Sequence, residues 1–139
     1  MVTEAALILP RRLVLRILAA AQNSAPNRMG GVVGHDADGP VAFMQLRNGA
    51  PQPETQLVHA SGDIQAARFG LDGRGLGLWA YVVSYPASAA EPKAEDFRNS
   101  PYPDALHLVI SLSTKGVLEM RAWRRLGTEP HECVLKIKD

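Results

Sequence analysis

Apolar positions along the chain fall into runs of two different periods, and the change from one to the other predicts the order of elements. "TEAALIL" is a short apolar run closed by Pro10 and reads as an opening strand. From Pro10 to Gln22, residues Val14, Ile17, Leu18 and Ala21 recur at helical spacing; Pro10 is tolerated in the first turn and "NSAP" stops the helix. "MGGVVGHDADGPVAFMQLR" places two apolar runs around Asp38-Gly39, a pair that favours a hairpin turn. Asn48 to Gln56 is rich in Gly, Pro and polar residues and reads as a loop. A second, shorter helix is predicted from Gly62 to Leu71, gathering Ile64, Ala67, Phe69 and Leu71, with Gly70 and Gly73 weakening its end. "LGLWAYVVSY" is continuously apolar, as expected of a strand buried on both faces. A Pro- and Ala-rich connection runs up to "NSPYPD", and three strand-like runs follow: "ALHLVISLS", "GVLEMRAWRR" and "ECVLKIK". The first two are joined by a tight Thr114-Lys115-Gly116 turn. This order predicts an α+β domain with a mixed β-sheet flanked by two or three helices, spanning residues 1–139.

Composition narrows the class. A chain of 139 residues, 46% hydrophobic and 21% charged, can bury a core without staples. A formal charge of +1 with no basic stripe argues against nucleic acid or an anionic membrane as partner. Cys133 is the only cysteine, which excludes an internal disulfide and a multi-cysteine zinc site and suits a reducing, cytoplasmic setting. Near the N-terminus, Glu4 precedes the first apolar run and Pro10, Arg11, Arg12 and Arg16 interrupt it, so neither a signal peptide nor a membrane span is expected.

The stretch "YVVSYPASAAEPKAED" carries candidate chemistry: a strand end, then Ser84, Tyr85 and Pro86, then Lys93 and Asp96. Its spacing resembles the motif of the JAB/JAMM (MPN) metalloproteases, in which two histidines flank a serine or threonine, a proline follows, and a serine and an aspartate come further on. Upstream, "PNRMGGVVG" is similar to the family's Pro-x-Glu-x-Cys-Gly segment, and Asn48 stands where the family often has an asparagine. "GRGLGLWAYV" looks like the strand leading into the site, and "PYPDALHLVISL" and "EMRAW" resemble the closing strands of bacterial members. The resemblance covers nearly the whole chain and implies the MPN, cytidine-deaminase-like fold.

Carried over position by position, the resemblance implies a degenerate site. Val83 and Tyr85 stand where the zinc-binding histidines would be, Arg28 where the catalytic glutamate would be, and Lys93 where the oxyanion-stabilising serine would be. Gly30 replaces the cysteine, and only Asp96, Ser84, Pro86 and Gly31 match. A catalytic zinc needs about three protein ligands; Val83 has no lone pair, and a guanidinium cannot act as a base. No metal, no cofactor and no catalytic residue is therefore expected. Binding is expected at Arg28, Tyr85, Lys93 and Asp96. One expectation is that Arg28 or Lys93 takes the place of the metal and pairs with Asp96; the other is that the loop is an ordinary solvated surface. By resemblance, the function is that of a pseudoenzyme, a protein-binding or scaffolding module for a ubiquitin-like or sulfur-carrier protein or for an active JAMM partner, with a homodimer as the weaker option. The alternative is a hydrolase with non-zinc chemistry drawing on Tyr85, Lys93, Asp96 or Cys133.

Other polar residues carry simpler expectations. His35, Asp36 and Asp38 belong to a hairpin turn. His59 is expected in a surface or capping role, and His107 as a satisfied histidine within a strand. Cys133 is expected to pack as a small hydrophobe, although His131 would share its face of a strand. The glycines of "GLDGRGLGLW" follow a helix and precede a strand, the reverse of a dinucleotide-binding turn. Trp79 and Trp123 are expected to pack, and Arg121, Arg124 and Arg125 to form a solvated face.

Overall fold

The computed structural model describes residues 6–113 and 119–139, so the expected turn at Thr114-Lys115-Gly116 lies outside the described residues. The opening run forms β1 (Leu7–Pro10), and α1 (Arg11–Ser24) starts directly after Pro10, burying Leu13, Val14, Ile17 and Ala21 along one stripe. The hairpin is β2 (Gly30–Asp36) and β3 (Gly39–Leu46), turning at Asp38-Gly39, where Gly39 has a φ of 129°. Asp36 Oδ1 accepts the Asp38 N–H at 2.8 Å, the local bond that makes Asp a turn residue.

Helix α2 spans Ser61–Gly73. Ala67 and Leu71 are buried on its inner face, but Phe69 is 74% exposed, contrary to its expected place beside them. At about 100° per residue, Phe69 lies two steps from both and cannot share their stripe. Strand β4 (Gly77–Tyr85) is buried on both faces from Ala80 to Ser84, as its apolar run predicts, while Gly77 and Leu78 at its start are exposed. Within the Pro- and Ala-rich connection the chain makes a five-residue helix, α3 (Ala94–Arg98). Strands β5 (Leu106–Ser111), β6 (Glu119–Leu126), β7 (Glu129–Cys133) and β8 (Leu135–Lys138) complete the chain. The run "ECVLKIK" is thus two strands rather than one. Val134 sits between them, its carbonyl accepting the Leu7 N–H at 2.8 Å, and the chain leaves one sheet there for another.

Six strands form a mixed sheet in the order β3-β2-β4-β5-β6-β7, in which β4 and β5 are parallel and the other pairs antiparallel. Strands β1 and β8 form a separate parallel pair. Alternate residues of β4 and β5 supply the two faces. Ala80, Val82, Leu106, Leu108 and Ile110 pack with the α1 stripe. Tyr81, Val83 and Val109 pack with Ala67 and Leu71 of α2 and Phe97 of α3. Truncating a fully buried aliphatic such as Ile17 or Leu108 to alanine costs about 2–5 kcal/mol in such a core.

Candidate functional site

The C-terminal end of β4 is the focus. In the antiparallel pairing of β2 with β4, Gly30 stands opposite Val83. The chain just before β2 is held in line by Ser84, which is fully buried. Its N–H donates to the Met29 carbonyl at 2.9 Å, and its Oγ accepts the Met29 N–H at 2.7 Å. Continuing that register one residue each way sets Arg28 beside Tyr85. The Arg28 Cζ lies 4.7 Å from the centre of the Tyr85 ring, and its Nε donates to the Ser84 carbonyl at 3.1 Å.

Tyr85 in turn reaches α3. Its hydroxyl donates to Asp96 Oδ2 at 3.0 Å, and the same oxygen accepts the Lys93 backbone N–H at 2.7 Å. Asp96 thereby caps the first turn of α3, an arrangement in which a carboxylate satisfies an otherwise unpaired N–H. Burial, reinforced by the Asp96 carboxylate, pushes the Tyr85 phenol well above its ordinary pKa of 10.0, so it donates at physiological pH.

The expected ion pair is not formed. None of the ion pairs among the described residues involves Asp96. The physical reason is local: the Asp96 carboxylate turns back to cap its own helix and receives the Tyr85 phenol, while the Arg28 cation lies on the ring face. Such a contact contributes about 0.5–2 kcal/mol. Nor is this an ordinary solvated surface, because Arg28, Tyr85 and Asp96 are each half-buried while Lys93 is exposed.

The stack of Arg28, Tyr85 and Asp96 is a wall between two clefts, lining both. One, of about 490 Å³, also has Glu54, Glu91, Lys93 and Glu95 around it. The other, of about 540 Å³, is bounded by Leu57, Val58, Tyr81, Val83, Pro92 and His107 among others. The outer wall of the clefts comes from the segment 51–58, which Asn48 holds in place. Its Nδ2 contacts the carbonyls of Arg28, Pro53 and Gln56 at 3.1, 3.2 and 2.9 Å. Its Oδ1 accepts the N–H groups of Ala50 and Val58 at 3.1 and 3.2 Å.

Two histidines behind the second cleft have more structure than the sequence suggests. His59 is not a capping residue: its Nδ1 donates to the Arg47 carbonyl at 2.8 Å, and its Nε2 accepts the Tyr81 hydroxyl at 2.6 Å. A carbonyl can only accept, which fixes this tautomer. The Tyr81 phenol is likewise raised well above 10.0, chiefly by burial. Gly30 makes room for this pair, since a Cβ there would lie 2.6 Å from His59 Nε2. His107, buried as expected, donates from Nδ1 to the Ala105 carbonyl and accepts the Ser100 hydroxyl at Nε2, each at 2.9 Å. Burial lowers its pKa below 6.5, against smaller opposing effects of the Ala105 carbonyl and Asp96.

Sequence reasoning missed Tyr81, His59 and Ser100. Tyr81 was accessible through strand periodicity, because residues 81, 83 and 85 share one face of β4. His107 is brought opposite Tyr81 by the β4–β5 register, which no local pattern encodes. Elsewhere, Cys133 is buried as a small apolar side chain, its thiol 3.9 Å from the His131 carbonyl. Arg121 is not merely solvated: it pairs with Glu132 at 2.7 Å and lies over Trp123. Trp123 is buried and donates to the Ala90 carbonyl at 3.0 Å.

These residues do not fit a catalytic zinc. Val83 offers no donor atom, the Tyr85 hydroxyl is committed to Asp96, and a guanidinium lies where a carboxylate would be needed. Among the described residues, no group of three His, Cys, Asp or Glu side chains is placed to hold a metal ion. No helix among them is long and apolar enough to cross a membrane.

The architecture matches known structures. A solution structure of a Desulfitobacterium hafniense protein superposes with a TM-score of 0.82 at 23% identity, covering 96% of this chain and 93% of that one. The crystal structure of a JAB1/MPN domain protein from Archaeoglobus fulgidus gives 0.61 at 14% identity, covering 99% and 100%. A structure described as a metalloprotease-like JAMM zinc site in the proteasome and signalosome gives 0.60 at 13%, covering 97% and 100%. This is the JAB/MPN fold. No protein-family profile and no curated protein sequence matches the chain. On the MPN frame, the wall and its two clefts sit at the end of β4, in the place the resemblance assigns to the metal motif.

Proposed function

We propose that this protein is a catalytically silent, bacterial-type MPN domain that acts in the cytoplasm as a protein-binding module. Its partner is a ubiquitin-like or sulfur-carrier protein whose tail lies in the cleft beside the wall, or an active JAMM subunit that it supports. The observation that carries the reading is the stack of Arg28, Tyr85 and Asp96, which replaces a metal-activated water with hydrogen bonds and a ring contact while two clefts remain open on either side. Hydrolysis by this class of site needs a metal to acidify water and a carboxylate to carry its proton, and Arg28 supplies neither. The test is elemental analysis of the purified protein, with a binding titration against a tailed ubiquitin-like protein. The expected result is no stoichiometric zinc and saturable binding without cleavage. Chelator-sensitive turnover would overturn the reading.

A second reading, a metal-independent hydrolase, has one observation in its favour, and it does not come from Tyr85, Lys93, Asp96 or Cys133. The Ser100 hydroxyl faces a neutral, carbonyl-oriented His107 at 2.9 Å, the relation of a nucleophile to its base. Labelling of Ser100 by a fluorophosphonate, abolished by His107→Gln, would favour this reading over the first. The same hydroxyl accepts the Tyr102 N–H at 3.0 Å, which makes it part of a turn.

A further inference from the structure

Asn48 is followed by Gly49, whereas Asn23, Asn27 and Asn99 precede Ser24, Arg28 and Ser100. An asparagine before glycine is the pair most open to attack of the next backbone nitrogen on the side-chain carboxamide, because glycine has no Cβ to obstruct the approach. The fold does not require glycine at this position. Its φ is not positive, and a Cβ there would meet only the Val58 carbonyl, at 3.8 Å. Gly49 is exposed and Asn48 half-buried, so solvent reaches the pair.

In the closed arrangement both reacting groups are engaged. The nucleophile, the Gly49 nitrogen, donates its hydrogen to the Val58 carbonyl at 2.8 Å. The electrophile is the Asn48 carboxamide, whose Oδ1 accepts the Ala50 and Val58 N–H groups and whose Nδ2 faces the Arg28, Pro53 and Gln56 carbonyls. Turning the carboxamide toward the Gly49 nitrogen breaks these bonds, so the reaction waits on local opening of segment 48–58. The product cannot restore them. A carboxylate oxygen in place of Nδ2 can only accept, and it would stand 2.9 to 3.2 Å from three carbonyl oxygens. In the isoaspartate product the backbone runs through Cγ and lengthens, which carries the Gly49 N–H away from Val58.

We propose that Asn48 is a deamidation site that works as a one-way latch: the contacts that close segment 48–58 hold the reaction off, and the reaction destroys them. The Gly49 nitrogen forms a bond to Asn48 Cγ and gives up its proton, the Cγ–Nδ2 bond breaks, and ammonia leaves. Water then opens the succinimide at either carbonyl, giving aspartate or isoaspartate and a new negative charge. Pro51, Gln56, Leu57 and Val58 line the larger cleft and Glu54 and Thr55 the smaller, so release of the segment removes the outer wall of both. The latch is independent of what the clefts bind.

The experiment incubates the intact protein in mildly alkaline buffer beside the peptide Leu-Arg-Asn-Gly-Ala and follows aspartate and isoaspartate at position 48 by peptide mapping. The protein should react at least about 10-fold more slowly than the peptide, since opening breaks several hydrogen bonds. Pro53→Gly, which favours the open segment through chain entropy, should bring the rate toward that of the peptide. Gly49→Ala should slow the reaction severalfold. In the reacted fraction, amide exchange at Ala50 and Val58 should be faster than in the unreacted protein, and Asn48→Asp, made directly, should show the same. Reaction of the unaltered protein as fast as the peptide would overturn the proposal, as would a rate that Pro53→Gly does not raise. Absence of product in both proteins once the peptide has fully reacted would overturn it too. If Pro53→Gly did not fold, Asn48→Asp decides alone: unaltered exchange at Ala50 and Val58 would sink the latch.

Discussion

At the scale of single residues, hydrogen-bond partners decide the character of the site. Tyr85→Phe keeps the ring under Arg28 but removes the donor to Asp96, which retains only the Lys93 N–H. The expected loss is about 0.5–1.5 kcal/mol of stability, measurable by denaturant unfolding. His107 gives the pH dependence. Its pKa is lowered in the fold, so the unfolded chain takes up a proton first as the pH falls. This contribution to stability is full above the unfolded value of 6.5 and declines below it, until the folded histidine also titrates. Replacing His107 with glutamine should flatten the fall between pH 6.5 and the lower pKa, as read by thermal melts across pH. The opposite trend, stability gained on acidification through that range and lost in the variant, would contradict the assignment of a buried neutral ring.

Between residue and molecule, elements succeed or fail as predictions according to how local their causes are. Helix α1, the hairpin and β4 are legible because apolar spacing and one Asp-Gly turn suffice. Phe69 misleads because hydrophobicity was read without its angle round the helix. The split at Val134 has no local mark, since its cause is the pairing of β8 with β1, far apart in sequence. Helix α3 hides in a Pro-rich connection because its capping comes from Asp96 and the Tyr85 hydroxyl, a contact across 11 residues. The motif positions were legible by resemblance; the neighbours of Arg28 were not, because they follow from the β2–β4 register. Segment 51–58 is tied by the Asn48 side chain in addition to the backbone bonds from Arg28 N–H to the Pro53 carbonyl and from Gly49 N–H to the Val58 carbonyl. Asn48→Ala should free it, with a stability loss of about 1–3 kcal/mol from the unpaired backbone groups. Amide exchange at Ala50 and Val58 should accelerate, whereas that of β4 should change only with the global loss.

For the molecule as a whole, the layers of the fold do not by themselves fix the chemistry of the site they carry. The triple variant Arg28→Glu, Val83→His, Tyr85→His would set two imidazoles and a carboxylate beside Asp96, a donor set of the kind catalytic zinc requires. It should bind zinc at a ratio near one, by isothermal titration, whereas the unaltered chain should not. The same frame fixes where attachments can go. Residues Lys138 and Asp139 line a shallow pocket together with Asp38 and Pro40 of the hairpin turn. Arg28 and Tyr85 sit at the other end of β2 and β4. A bead, sensor chip or fused domain joined through Asp139 would therefore display both clefts outward, leaving approach from solution unobstructed.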